Sequence, residues 1–155
     1  MIPAASALPG RLDERGVSWV TALLVTGLAA AGYLVWVWGP IYLVHYEVKQ
    51  VMRNFANQAV KNSADAPQRE AMVRQLATLD RIDFVDEYGR PARVPAVNVR
   101  PEQVVWERTA SPPTLRIAFE YTRPVRYPLI DRETEVTFQL DQTFDISLAD
   151  WGAPR

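Results

Sequence analysis

The sequence predicts an α+β protein: an N-terminal transmembrane helix continues into an amphipathic helix, which packs on a small three- to four-stranded antiparallel sheet. Three observations predict it. Val17 to Trp38 carries no charged residue, apolar residues recur at steps of three and four beyond it, and two later segments alternate apolar and polar residues. The boundaries read as a tail over 1–16, a transmembrane helix over 17–39 and an α+β domain over 40–155.

As a helix rising about 1.5 Å per residue, the charge-free run reaches roughly 33 Å, enough for a hydrocarbon core of about 30 Å. Trp19 stands near its first end, and Trp36, Trp38 and Tyr42 near its second, where amphipathic rings favour the headgroup region. A cleaved signal peptide is the competing reading, because Arg11 and Arg15 precede the run and Ala29-Ala30-Ala31 imitates a cleavage site. Cleavage there would leave Gly32-Tyr33-Leu34-Val35-Trp36-Val37-Trp38 at the new terminus, which a soluble product would not tolerate. A retained anchor is therefore expected, with the lipid bilayer as its first partner. Gly27 and Ala31 form a small-xxx-small pair that permits close approach of two helices, a route to a homo-oligomer, although small residues are common in any such helix.

Past Gly39-Pro40, where a helix can kink or break, Ile41, Val44, Val48, Val51, Met52, Phe55, Ala59 and Val60 predict an amphipathic helix over about 41–62. A second helix is expected over about 66–79. Asp65 and Gln68 suggest a capping box at its start, Pro67 suits its first turn, and Met72, Val73, Leu76 and Leu79 form its buried stripe. A short hairpin is expected around Asp86-Glu87-Tyr88-Gly89, and Pro91, Pro95 and Pro101 then predict a loop-rich linker. Strands follow over about 104–109, 114–121 and 134–144. In the second, Leu115, Ile117, Phe119 and Tyr121 alternate with Arg116, Ala118 and Glu120; in the third, Val136, Phe138 and Leu140 alternate with Glu135, Thr137, Gln139 and Asp141. Arg123 to Arg132 reads as a longer connection whose apolar tip, Tyr127-Pro128-Leu129-Ile130, is expected to fold back onto the core. The alternative for Tyr127, Leu129 and Ile130 is a hydrophobic contact with a partner or the bilayer surface.

The chemistry open to such a chain is narrow. Seventeen Lys+Arg residues against 18 Asp+Glu give a net charge of −1 with no basic stripe, which argues against nucleic acid as a partner. Zero cysteines exclude disulfides, thiolate metal sites and cysteine nucleophiles. The single histidine, His45, reads as an interfacial side chain, since no elbow motif surrounds any serine. Asp80, Asp83, Asp86 and Glu87 depart from calcium-loop spacing and read as a solvated turn. Glu133/Glu135 and Asp141/Asp145 are expected to pair with Arg116 and Arg123 across the sheet. No catalytic residue, metal ligand or cofactor is implied, and the chain is expected not to be an enzyme.

Glu14-Arg15-Gly16-Val17-Ser18, the long apolar helix, Pro40-Ile41-Tyr42, Tyr46-Glu47-Val48-Lys49, Ala56-Asn57 and the two alternating strands around an apolar tip resemble a family of small single-span proteobacterial membrane proteins of unknown function. That family is in turn similar to type IV pilins and pseudopilins, in which a basic leader ends in Gly before a helix that is half membrane-embedded and half packed on a sheet. Gly16-Val17 is the corresponding processing point, and Thr21 stands where pilins usually carry Glu. Charge does not orient the span, since Arg11 and Arg15 are matched by Lys49 and Arg53. The resemblance implies a bacterial inner-membrane protein with its N-terminus inside and its C-terminal domain in the periplasm. Its partner would be an unknown membrane or periplasmic protein.

Overall fold

The computed structural model describes residues 18–85 and 89–148. The expected tail over 1–16, the Gly16-Val17 step and turn residues Asp86, Glu87 and Tyr88 lie outside the described residues. The chain divides into two units, Met1–Trp36 and Val37–Arg155.

The first helix, α1, spans Trp19–Ala59. It is one element, the continuation of the apolar helix into the amphipathic one that the sequence predicts, with the expected kink point Gly39-Pro40 inside it. Pro40 sits inside it and removes one backbone hydrogen bond, at a cost of about 3 kcal/mol in a helix interior. The helix-favouring apolar sequence before the proline and the packed stripe after it outweigh that cost. In the first unit the side chains of Trp19, Leu23, Leu28, Val35 and Trp36 are all exposed. Among the described residues this is the one helix long and apolar enough to cross a membrane.

In the second unit α1 buries Ile41, Val44, Val48, Val51, Met52, Phe55 and Ala59, the stripe expected from the three-four spacing. It ends at Ala59, short of the expected 62, where the Lys61 N–H bonds the Gln58 carbonyl three residues back and tightens the last turn. The second helix, α2, covers Asp65–Leu76 and buries Met72 and Leu76. No capping box forms at its start: Asp65 receives Arg108, and Gln68 donates to the Asn62 carbonyl. It stops before the expected 79, where the N–H groups of Thr78 and Leu79 bond the carbonyls of Gln75 and Leu76 three residues back.

Strands β1 (Arg81–Val85) and β2 (Pro91–Pro95) form an antiparallel hairpin with Arg81 opposite Pro95 and Val85 opposite Pro91. The loop-rich linker expected from Pro91 and Pro95 is therefore partly strand. In a two-stranded sheet every strand is an edge, so a proline can stand at its ends without breaking a ladder on both sides. Ala96, Val97, Val99 and Val104 then carry the chain through the core, past a short 3₁₀ turn at Pro101–Gln103.

Strands β3 (Val105–Ala110), β4 (Pro113–Tyr127) and β5 (Arg132–Asp145) form an antiparallel meander in that order. Both β4 and β5 are longer than expected. The connection over Arg123 to Arg132 shrinks to Pro128–Asp131, with Tyr127 opposite Arg132. Pro124 is tolerated because β3 pairs only with residues 113–118 of β4; beyond them β4 has β5 alone as neighbour, and the missing N–H faces the open edge. The inner face of β4 presents Leu115, Ile117, Phe119, Tyr121 and Val125, all buried. Leu115, Ile117, Phe119 and Tyr121 meet Val48, Val51, Met52 and Phe55 of α1, Met72 and Leu76 of α2, and Leu140 of β5 in one core. Full burial of such a side chain contributes roughly 1.5–3 kcal/mol, so the α1 stripe and the β4 stripe together hold the unit.

Candidate functional site

Strand β4 runs back along α1. Its residues meet the helix in reverse order, Tyr121 at His45 and Tyr127 at Trp38, while Arg108 of β3 reaches the helix end at Ala59. This brings three kinds of side chain together at three levels of the second unit.

At the far level, Arg108 closes the end of α1. Its guanidinium donates to the Ala59 carbonyl at 3.0 Å and the Asn62 carbonyl at 3.1 Å, and Nη2 to Asp65 Oδ1 at 2.7 Å. The last turn of a helix leaves carbonyls without intrahelical partners, and a cation there is also favoured by the helix dipole. Burial would raise the Asp65 carboxyl, but the hydrogen bonds and charge of Arg108 outweigh it and hold the group below the usual carboxylate range.

At the middle level the buried Tyr121 and the half-buried His45 and Phe138 form an aromatic cluster. His45 Nδ1 lies 3.2 Å from the Tyr121 hydroxyl, and the Phe138 ring is 5.0 Å from His45 and stacks on Tyr121 at 5.2 Å. Burial lowers the His45 imidazole and Lys49 lowers it further. Burial also pushes the Tyr121 phenol up to about 12, against the opposing charge of Arg123. Both groups are therefore neutral near pH 7, and His45 is a packed, hydrogen-bonded side chain of the domain. Two residues along β4, Arg123 is buried and donates to Asp80 Oδ2 at 2.9 Å. Its expected exposed pairing with β5 carboxylates does not occur, because alternation from Leu115 points residue 123 inward. Asp80 also accepts the N–H of Arg81, so this pair ties the start of β1 to the larger sheet.

The outer face is polar. Arg116 bridges Asp141 at 2.8 Å and Glu107 at 3.2 Å, spanning all three strands; the Asp141 half of this arrangement was expected. Asp83, part of the acidic run before Gly89, pairs with Arg93 at 3.1 Å. Among the described residues no group of three potential metal ligands comes together. A shallow groove of about 480 Å³ runs between Arg53 and Asn57 of α1 and Thr143, Asp145 and Ser147 at the end of β5.

At the near level lie several residues singled out from sequence. Trp38 contacts both Tyr42, with ring centroids 6.0 Å apart, and Tyr127, at 6.4 Å. Past Tyr127 the hairpin closes through a turn in which the Ile130 N–H bonds to the Tyr127 carbonyl. Pro128 occupies the favoured second position of that turn, and Asp131 takes the left-handed conformation at φ 45°, which aspartate tolerates better than most residues. This turn projects Leu129 and Ile130 away from the core, 76% and 66% exposed, in place of the fold-back expected. No family model, curated protein or solved structure matches the chain. In the first unit, Trp19 and Trp36 are exposed, Trp36 lies 6.2 Å from Tyr33, and both Gly27 and Ala31 are exposed, with no atom within 4 Å of a Cβ built at Gly27.

The domain thus presents an aromatic and apolar end at Trp38, Tyr42, Tyr127, Leu129 and Ile130, and a polar outer face on which acidic residues outnumber basic ones. The outward projection of Leu129 and Ile130 is the alternative the sequence left open against the fold-back, and the Pro128 and Asp131 turn signals bracketing them were readable.

Proposed function

We propose that this chain is a single-pass protein of the bacterial inner membrane that holds the domain from Val37 onward on the periplasmic side and acts through contacts with other envelope proteins, without catalysis of its own. The observation that carries the reading is the helix from Trp19 to Trp38. It is apolar and charge-free, and within an 18-residue window of α1 only 6% is buried. A core helix of a soluble protein would be mostly covered, and water would not tolerate this one bare. The pairing of Arg116 with Asp141 and Glu107 on the outer face, and the packing of His45 against Tyr121 and Phe138, support a role in contact over one in proton transfer. Gly27 and Ala31 offer a route to self-association through the span.

The test uses the absence of cysteine. Ser111→Cys, at the exposed turn between β3 and β4, should react with a membrane-impermeant maleimide when the outer membrane is opened and the inner membrane is intact. Labelling only after the inner membrane is lysed would reverse the orientation. Crosslinking in membranes followed by mass spectrometry should then capture a distinct envelope partner. A pilin-like subunit is the second reading, favoured by a long helix whose later half packs on an antiparallel sheet. It requires a mature mass reduced by the loss of Met1 to Gly16, and an intact N-terminus would remove it.

A further inference from the structure

We infer that the β4–β5 hairpin tip, Leu129-Ile130, is a second membrane contact: it inserts into the lipid headgroup boundary beside the exit of the span. The inference rests on the membrane-tether reading and adds to it a surface of the domain. Trp38, one of the aromatic residues expected at the second end of the span, is in ring contact with Tyr127, two residues before Leu129. Tyr42, on the next turn of α1, is 60% exposed and packs on the same Trp38. Trp and Tyr rings gather at the headgroup level, so an interface that begins at Trp38 continues through Tyr127 to the tip. Leu129 and Ile130 are also among the most exposed apolar side chains of the second unit. The turn that presents them is held in shape by Pro128, by the Ile130-to-Tyr127 hydrogen bond and by the 3.1 Å ion pair of Arg126 with Asp131.

The charge around the tip identifies the kind of surface. Arg126 is balanced by Asp131, and Arg132 is followed by Glu133. An amphipathic element drawn to anionic lipid carries a cationic excess, which this tip lacks. Its contact is therefore apolar and independent of anionic lipid.

The experiment labels full-length Leu129→Cys with an environment-sensitive fluorophore after reconstitution into phosphatidylcholine bilayers, with and without lipids carrying a spin label either near the headgroup, to read position 129, or at the end of the acyl chain, to read position 28. Ser111→Cys, at the opposite end of β4, and Leu28→Cys, inside the span, are the controls. The expected result is a blue-shifted emission at position 129 that the spin-labelled lipid quenches, water-like and unquenched emission at 111, and no change at 129 when anionic lipid is added. Ile130→Cys should behave as Leu129→Cys does. Water-like emission at 129 overturns the inference, as does a blue shift without lipid quenching, which would mean that protein covers the tip. If position 28 is quenched and 129 is not, only this inference fails. If position 28 is also unquenched, the tether reading fails with it.

Discussion

Replacing Arg108 with leucine tests how the two helices and the sheet are joined. The side chain is one-quarter exposed and its partner Asp65 slightly over one-third, so water partly replaces what is lost. Hydrogen bonds to charged groups contribute about 1.5–3 kcal/mol each when buried, and neutral ones about 1 kcal/mol. Discounted for solvent screening, the Asp65 pair is worth about 1 kcal/mol, and the two carbonyl bonds at Ala59 and Asn62 about the same together. The expected loss is about 2 kcal/mol. For a domain of roughly 110 residues, with about 2.1 cal/mol/K of unfolding entropy per residue, this lowers Tm by roughly 9 °C. The assay is thermal unfolding of the detergent-solubilised full-length protein followed by near-ultraviolet circular dichroism, with Arg116→Ala as the exposed ion-pair control. Amide exchange at Lys61 and Asn62 should also accelerate, because the turn that caps α1 loses its brace. Equal Tm shifts in Arg108→Leu and Arg116→Ala, with unchanged exchange at 61 and 62, would refute the assigned role.

Three further outcomes follow from the same geometry. Met52→Ala, at a side chain with no exposure, should destabilise the domain by about 2–5 kcal/mol through lost burial and the cavity left behind, measurable by urea unfolding. Asp80→Ala should cost about 3 kcal/mol by leaving the buried Arg123 guanidinium without its carboxylate, and adding Arg123→Met should recover part of the loss; equal stabilities of the single and double variants would contradict this. The folded chain holds His45 below its ordinary 6.5, so the unfolded chain binds more protons at this ring as pH falls past that value. Its contribution is complete above pH 6.5 and is lost on acidification toward the lower folded value. His45→Gln should therefore flatten the acid side of the stability curve, and an unchanged slope would rule out this linkage.

How much was legible depends on whether the signal was periodic. The stripe from Ile41 to Ala59 and the alternation from Leu115 to Tyr121 are repeats set by backbone geometry, and each side chain went to the face its spacing required. Continuing that alternation two residues past Tyr121 places Arg123 inside, so its burial was readable by parity. The misjudged sites turned on prolines and partners. Pro91, Pro95 and Pro124 discourage a strand only where both ladders are needed, and edge position is a property of the assembled sheet. Asp65 looked like a helix cap in isolation, but Arg108, which claims it, lies 43 residues away.

By itself the sequence determined the charge-free run long enough to span a bilayer, the buried faces of α1 and β4, and the narrow range of chemistry. These depend on local composition and period, which neighbours in the chain settle among themselves. Tertiary structure alone decided that His45 bonds Tyr121, that Arg123 is drawn to Asp80, and that Tyr127 meets Trp38 while Leu129 and Ile130 project outward. Each is a meeting of residues far apart in the chain, and only the return of β4 along α1 brings them within reach.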